Sequence, residues 1–374
     1  MKPAVCLLLC GVLLTAADTA QAVFERAVKA LGAGDYAAAE RGFESVLREQ
    51  PRHVGALGNL GIVYSRTNRA DRAIATYRRA LRVSPNDEAI LVNLGLIYLR
   101  QEAHARALPV FKQVVASNPK HLQARLLLSV CRVYTGQAAA AIRDLETLRA
   151  ASPRDEQILF LLGFAHLKNK EPQKGQAVFA EMLDAVGPAR AQFLTGKAYY
   201  EAALFSQAEE SLLEALRLDP KLPGAHLELG KVYISERRTE DAARELELVL
   251  KDNPADSDAA YFLGGMMVQV EARYKEAIPY LERARNAKPD FWAPYFYLGK
   301  SRLRLEQAEE AAALLQRAVE LNPDEPSAYY HLGRALKACG RNAEARRALD
   351  RVRELRAAGL KAVTPGEDQV AGTR

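Results

Sequence analysis

The spacing of the prolines is the feature that most constrains what this chain can fold into. Four of them recur every 34 residues, at Pro51, Pro85, Pro119 and Pro153. Five more continue the series with slips of one or two residues, at Pro188, Pro220, Pro254, Pro289 and Pro323. Proline lacks an N–H and disfavours helix in the residue before it, so each one predicts the end of a helix. A period of this length predicts a solenoid of stacked units, although 374 residues would otherwise favour two or three globular domains.

Residues 54–87 show what one unit contains. Apolar residues recur there at helical spacing, stop at a short polar break, and then recur again. The small residues Gly61 and Ala73 are predicted to lie where the two helices cross, because larger side chains would overpack that contact at a cost of roughly 1–3 kcal/mol. Tyr64 and Tyr77 are predicted to fill the space beside it. No such unit can bury its apolar face alone, so neighbouring units must stack.

The same residues resemble the tetratricopeptide repeat. Its signature is Leu-Gly-x-x-Tyr, an Ala about nine residues later, a large apolar residue four after that, and a proline. The signature recurs in phase over residues 20–358, in about ten units. The Leu-Gly pairs are Leu60-Gly61, Leu94-Gly95, Leu162-Gly163, Leu229-Gly230, Leu263-Gly264, Leu298-Gly299 and Leu332-Gly333. The resemblance implies an all-α, right-handed superhelical solenoid of antiparallel helix pairs, whose first helices line an inner groove where protein or peptide partners bind.

The two ends of the chain predict separate segments. One Lys, an apolar run from Val5 to Leu14 and the small residues after it are the three parts of a secretory signal peptide, which we assign to residues 1–17. The run is too short to cross a bilayer, which takes about 20 residues, and the alternative is a buried N-terminal helix. The absence of an Asn-x-Ser/Thr sequon favours a bacterial periplasm or cell envelope. Residues 359–374 lose the periodicity and predict a flexible tail, which leaves residues 18–358 for the solenoid.

The sequence contains no pattern for catalysis or metal binding. The Gly-x-x-x-x-Gly-Lys-Ser/Thr phosphate loop and the Gly-x-Ser-x-Gly elbow are both missing. The six His residues fall in separate units, without a His-Glu-x-x-His or Cys-x-x-Cys pair. After the signal only Cys131 and Cys339 remain, in units too far apart to meet, and both are expected to be small buried hydrophobes. We therefore expect no enzyme, no cofactor and no metal.

The basic charge of the chain lies mainly at its C-terminal end. The net charge is +6, and residues 341–361 hold seven Lys or Arg against three Asp or Glu. Elsewhere basic and acidic residues are mixed, whereas a nucleic acid needs a continuous basic stripe, so we expect no nucleic-acid partner. The basic end is either the solvated face of a terminal capping helix or a contact for an anionic membrane or polymer.

Two asparagines stand at matching inward positions of the second and third units. Asn59 and Asn93 each come directly before a Leu-Gly pair. A side-chain amide both donates and accepts, so a column of them can pair with a peptide backbone whatever its side chains. The arrangement is similar to the asparagine ladder of another member of the family. The alternative is that both amides only satisfy neighbouring turns.

The later units change character at the inward positions. Apolar residues occupy them in the middle units: Phe160, Leu161, Phe164, Phe193 and Leu194. Some of these are expected to be core, and those that face inward would form an apolar floor that a partner covers. Aromatic and basic residues occupy them in the last units: Tyr297, Lys300, Arg304, Tyr330, His331, Arg334 and Lys337. Cations mixed with aromatic rings suit a carboxylate-bearing or aromatic ligand. The two-carboxylate clamp of chaperone-binding members is not expected, because Phe24, Val28 and Ala89 stand where it needs Lys or Asn.

These features together predict a non-enzymatic, exported scaffold that binds a protein or peptide in its groove. One alternative is a structural assembly factor of the cell envelope that uses the basic end to contact an anionic membrane or polymer. Another is an accessory subunit of an envelope enzyme. The sequence does not indicate the identity of the partner or the oligomeric state.

Overall fold

The computed structural model describes residues 19–358. The predicted signal peptide at residues 1–17 and the predicted tail at residues 359–374 lie outside the described residues, and both stay predictions. The chain divides into two compact units, the first ending at Ala151 and the second beginning at Ser152.

The described residues form twenty helices and no strand. The first unit contains α1 (Ala20–Gly32), α2 (Tyr36–Glu49), α3 (Val54–Arg66), α4 (Ala70–Leu81), α5 (Glu88–Arg100), α6 (His104–Ser117), α7 (Leu122–Tyr134) and α8 (Ala138–Ala151). The second contains α9 (Glu156–Lys168), α10 (Pro172–Val186), α11 (Pro188–Glu201), α12 (Phe205–Leu218), α13 (Ala225–Ser235), α14 (Thr239–Asp252), α15 (Ser257–Gln269), α16 (Tyr274–Ala287), α17 (Trp292–Arg304), α18 (Ala308–Leu321), α19 (Pro326–Ala338) and α20 (Asn342–Ala357). Each odd-numbered helix packs extensively on the even-numbered helix that follows it. The predicted all-α class and the helix-pair solenoid are confirmed, while its right-handed sense and the number of repeats stay predictions.

Most prolines of the 34-residue series lie where the sequence predicts, in the turns after even-numbered helices. Pro51 follows α2, Pro85 follows α4 and Pro119 follows α6. Pro188 is different, because it begins α11 instead of following a helix end. The first residue of a helix has no intrahelical partner for its N–H, so a proline is tolerated there.

The turn inside each helix pair contains one residue in the left-handed region of the backbone. These residues are Gly34, Asn68, Glu102, Gly136, Lys170, Ala203, Arg237, Ala272, Glu306 and Gly340. The conformation suits glycine and costs other L-residues roughly 1–2 kcal/mol. Gly34, Gly136 and Gly340 are separated by multiples of the 34-residue proline period. They are therefore a second sign of the repeat in the sequence, independent of the prolines.

In the pairs that contain a Leu-Gly, the two helices approach closely at the glycine that the sequence singles out. A Cβ added at Gly61 would lie 2.7 Å from two ring carbons of Tyr77 and closer still to a third. The ring of Phe111 covers Gly95 and the ring of Phe179 covers Gly163 in the same way. Ala73 of α4, the second helix of the first of these pairs, is fully buried. The predicted close approach at the helix crossing is therefore confirmed.

Odd-numbered helices also contact one another. In the first unit α1 contacts α3 and α3 contacts α5, and in the second unit each odd-numbered helix from α9 to α19 contacts the next. Over residues 19–358, no two even-numbered helices make a contact of this extent. Within each unit the odd-numbered helices are thus closer together than the even-numbered ones, as on the inner side of a curved stack. We call the surface of the odd-numbered helices the inner face of its unit.

Candidate functional site

The two asparagines lie in the middle of α3 and α5, on the inner face of the first unit. Asn59 and Asn93 are both half-buried. Within the described part of the chain, neither side-chain amide has a hydrogen-bond partner. The helices are capped by other residues: His53 accepts from the backbone N–H of Ala56 in α3, and Asp87 accepts from that of Ile90 in α5. The amides are therefore not used in capping, and their contact with a partner stays a prediction.

The predicted apolar residues of the second unit are mostly core. Phe164 is fully buried and Phe193 is 6% exposed, whereas Phe160 is half-buried. The rings of Phe160 and Phe164 stack with their centroids 6.3 Å apart. Of the three, only Phe160 leaves a sizeable part of its ring for contact with another molecule.

A buried ion pair that the sequence reasoning missed occupies the inner face at α13. The Lys231 ammonium lies 2.6 Å from Glu228 Oε2, and both residues are 8% exposed. The ammonium also lies 4.8 Å from the centroid of the Tyr200 ring. Burial pushes the pKa of Lys231 down, but Glu228, together with Tyr200 and Glu201, raises that pKa above its ordinary value.

A sequence signal for this pair exists. Glu228 directly precedes Leu229-Gly230 and Lys231 directly follows it. The same place after the glycine is basic in three other units, at Lys197, Lys300 and Arg334. A basic residue therefore follows the glycine in four of the six odd-numbered helices of the second unit.

The C-terminal end of that inner face carries cations without anionic partners. Lys300 and Arg304 lie one turn apart on α17, and Arg334 and Lys337 lie one turn apart on the adjacent α19. Among the described residues, none of the four forms an ion pair with a carboxylate. We call these four residues the cation cluster. Burial, and after it the neighbouring Arg304, lower the pKa of Lys300, as expected for an ammonium without a carboxylate partner.

His331 lies among these cations. Its ring packs edge-on against Phe296 at a centroid distance of 5.5 Å and against Tyr330 at 5.4 Å. Its Nδ1 atom is buried and has no hydrogen-bond partner. Burial, together with Lys300 and the two arginines of the cluster, lowers the pKa of His331 to about 4. The imidazole is therefore neutral at pH 7 and has one unsatisfied nitrogen.

The two predicted tyrosines of this region differ in exposure. Tyr297 is 1% exposed and donates its hydroxyl proton to Gln269 Oε1 at 2.6 Å. Tyr330 is 44% exposed and lies beside the guanidinium of Arg334, 5.9 Å from its ring centroid. Tyr330 is thus placed to touch another molecule, whereas Tyr297 supports the packing of α15 against α17.

Three further histidines and the two described cysteines have structural roles. His121 accepts from the backbone N–H of Ala124 and caps α7, while His166 and His226 pair with the nearby carboxylates Glu171 and Glu245. The two cysteines within residues 19–358, Cys131 and Cys339, are free thiols; Cys131 is fully buried as expected, whereas Cys339 is only half-buried, so that expectation is wrong for it. No group of three or more His, Cys, Asp or Glu within residues 19–358 is arranged to hold a metal ion. None of the described helices is both long and apolar enough to span a bilayer.

The fold and its stacked helix pairs define a class of protein, and comparison with known families identifies it. One tetratricopeptide repeat model matches residues 24–88, 92–133, 132–190 and 269–326. A second tetratricopeptide repeat model matches residues 199–264 and 302–359. The chain therefore belongs to the tetratricopeptide repeat family. A comparison with curated proteins found no match at the level of sequence.

Several solved structures of low sequence identity are similar to this chain. Yeast Tom70 is 12% identical, with 94% of each chain covered and a TM-score of 0.50. MamA from Desulfovibrio magneticus RS-1 is 24% identical over 46% of this chain and 96% of its own, with a TM-score of 0.43. YrrB, described as a TPR protein with an unusual peptide-binding site, is 20% identical over 49% of this chain and 95% of its own, with a TM-score of 0.40.

Proposed function

We propose that the chain is a non-enzymatic, exported scaffold that binds a protein or peptide partner on its inner faces. The observation that carries the proposal is the pair of amides on the first unit. Asn59 and Asn93 occupy equivalent positions of α3 and α5, are half-buried, and have no hydrogen-bond partner among the described residues. A polar group that the fold partly desolvates and leaves unpaired is available to a ligand backbone.

The mechanism is passive recognition by a preformed surface. The odd-numbered helices are fixed by their packing on the even-numbered ones, so a partner loses entropy on binding while the inner face does not reorganise. The two amides set the register of the partner backbone by donating to its carbonyl groups and accepting from its N–H groups. Side chains of the partner then meet the inner-face residues of neighbouring helices.

The test is a pull-down from the exported fraction with residues 18–374, followed by affinity measurements on the purified partner. In the double variant Asn59→Ala/Asn93→Ala, two net hydrogen bonds of roughly 0.5–1.5 kcal/mol each are lost, so the Kd should rise between about five-fold and about 150-fold. Asn286→Ala is the matched control, because Asn286 is an exposed asparagine of an even-numbered helix. Equal affinities in the wild type and in the double variant, with unchanged melting, would refute the role of the amides.

Export is tested separately. Protein recovered from the exported fraction should begin near Asp18, as determined by its intact mass. A protein that stays with the cytosolic fraction and retains Met1 would remove the export part of the proposal and leave the scaffold part standing.

A second candidate function is contact with an anionic membrane or polymer through α20. Arg346, Arg347 and Arg356 of this helix have no carboxylate partner among the described residues, whereas Arg341 is paired with Glu344. Flotation with anionic vesicles at low and at physiological ionic strength separates the two functions. Flotation that survives physiological ionic strength supports the membrane contact, and a protein that stays in solution supports the scaffold.

A further inference from the structure

The positive charges of the cation cluster on α17 and α19 have no carboxylate partners among the described residues. Lys300 is half-buried, and no carboxylate of the described residues pairs with it. The contrast with Lys231 on the same inner face is direct, since that ammonium has Glu228 at 2.6 Å. The other three residues of the cluster are exposed. Holding the Lys300 ammonium partly out of water beside these cations is unfavourable, and an anion that binds beside Lys300 removes this cost.

His331 adds a second, independent observation at the same place. Its Nδ1 atom is buried without a hydrogen-bond partner, and its ring is held between Phe296 and Tyr330. A buried polar nitrogen without a partner is destabilising, and native structures seldom leave one without a reason. An oxygen atom of a bound anion would accept a hydrogen bond from the imidazole while the neighbouring cations neutralise its charge.

The surroundings favour a carboxylate on a peptide over a polyanion. Along the inner face the uncompensated charge is local, because the neighbouring α15 has no Lys or Arg and the charge of Lys231 on α13 is already compensated by Glu228. A nucleic acid or a membrane surface needs a more extended field. Tyr330, with 44% of its surface exposed beside Arg334, offers a ring for the side chains that flank an acidic residue.

We propose that the cation cluster binds a carboxylate group of an acidic peptide segment, with Lys300 and Arg334 as its charge partners and His331 as a hydrogen-bond donor. This inference rests on the proposed scaffold function, because it specifies the chemistry of the partner on one part of the same surface. Arg304 and Lys337 widen the site, so that a second acidic residue of the same segment is attracted as well.

The probe is a short synthetic peptide rich in glutamate with one tyrosine, compared with the same peptide in which every glutamate is glutamine. The glutamate peptide should bind and the glutamine peptide should not. In the double variant Lys300→Gln/Arg334→Gln, the Kd of the glutamate peptide should rise about tenfold or more, because two charge-assisted contacts are lost. The matched control is Arg346→Gln/Arg347→Gln on α20, which removes the same charge and should change the Kd less than about twofold. A readout on His331 completes the test: its imidazole NMR signals should show a pKa that rises when the peptide binds.

Three results would overturn the inference. The glutamine peptide could bind as well as the glutamate peptide, or the control on α20 could weaken binding as much as the cluster variant. Alternatively, anionic vesicles or inorganic phosphate could displace the peptide at equal charge concentration, which would assign the cluster to a different anion.

The scaffold function is tested independently with the Asn59→Ala/Asn93→Ala variant. That variant should keep its affinity for the short glutamate peptide. A natural partner that binds the wild type while the glutamate peptide does not would refute the carboxylate site alone. A glutamate peptide that binds as expected, with no natural partner affected by the asparagines, would refute the proposed role of the amides alone.

Discussion

Two glycines of α3, Gly58 and Gly61, provide a direct test of how closely the helices of a pair must approach. They lie less than one turn apart in the interior of the same helix, and both become alanine in the test. Replacing glycine by alanine inside a helix stabilises it by roughly 0.5–1 kcal/mol, because the unfolded chain loses conformational freedom. The two substitutions therefore share this gain and differ only in what the added Cβ meets.

The structure predicts opposite changes in the free energy of unfolding for the two substitutions. At Gly58 the nearest atoms to the added Cβ are those of Ile90 at 3.6 Å, an ordinary contact. At Gly61 the added Cβ meets the Tyr77 ring, with two ring carbons at 2.7 Å, and Tyr77 is 1% exposed. Overpacking of this kind costs about 1–3 kcal/mol. We expect Gly58→Ala to raise the free energy of unfolding by about 0.5–1 kcal/mol and Gly61→Ala to lower it by up to about 2.5 kcal/mol, since the same gain offsets part of the overpacking cost.

The assay is urea unfolding followed by circular dichroism, combined with hydrogen exchange of the amides in α3. Exchange is needed because stacked repeats can unfold in parts, and a single midpoint then underestimates a local change. If Gly61→Ala were as stable as Gly58→Ala, the steric argument for the glycines would be wrong.

Three further predictions concern the turns, the buried imidazole and the buried ion pair. Glu102→Gly should raise the melting temperature, and Gly136→Ala should lower it, each by the equivalent of about 1 kcal/mol, because both positions are left-handed. The pKa of His331 is lowered to about 4 from an ordinary value near 6.5, so its neutral form stabilises the fold fully above pH 6.5 and progressively less as the pH falls toward 4. Between pH 6.5 and pH 4 the free energy of unfolding, measured by urea titration, should therefore fall less in His331→Gln than in the wild type, with a difference of up to roughly 3 kcal/mol. Glu228→Gln, which leaves Lys231 buried without its carboxylate, should cost about 3 kcal/mol, and Glu228→Gln/Lys231→Met should recover most of it.

The sequence predicts the fold well because the fold depends on local rules repeated many times. Pro51 and Pro85 end helices for the same reason, and Gly61 and Gly95 lie under an aromatic ring for the same reason. The left-handed turns inside the helix pairs are harder to predict, because only three of their ten left-handed residues are glycine. The other seven adopt a strained backbone conformation that the surrounding packing maintains. A residue such as Glu102 in this position gives no sign of its conformation.

The site could be predicted only in part, because the same position of the repeat is occupied by chemically different side chains in different helices. The residue before the Leu-Gly pair is an unpartnered amide at Asn59, a buried carboxylate at Glu228, a buried phenol at Tyr297 and a half-buried imidazole at His331. Whether such a side chain is exposed depends on the volume of its neighbours on the next odd-numbered helix. The periodicity of the sequence contains no information on that volume. Phe164 therefore occupies a position that the repeat predicts to face inward, although its side chain is fully buried in the core.

The same register position decides whether the cation after the glycine is neutralised. Lys231 has Glu228 three residues before it and forms a buried pair, whereas Arg334 has His331 three residues before it and has no carboxylate partner among the described residues. Residues three apart lie on one face of a helix, so His331→Glu should pair with Arg334 and reproduce in α19 the arrangement of α13.

This substitution should abolish binding of the glutamate peptide, because a resident carboxylate then occupies the place of the ligand, while thermal melting stays near the wild type. Asn342→Asp is the control, since it adds one acidic charge at an exposed position of α20 and should leave the Kd within about twofold. Undiminished peptide binding by His331→Glu would show that the cations of α17 and α19 do not act on the carboxylate through His331 and Arg334. Equal weakening by Asn342→Asp would show that only the overall charge of the unit matters.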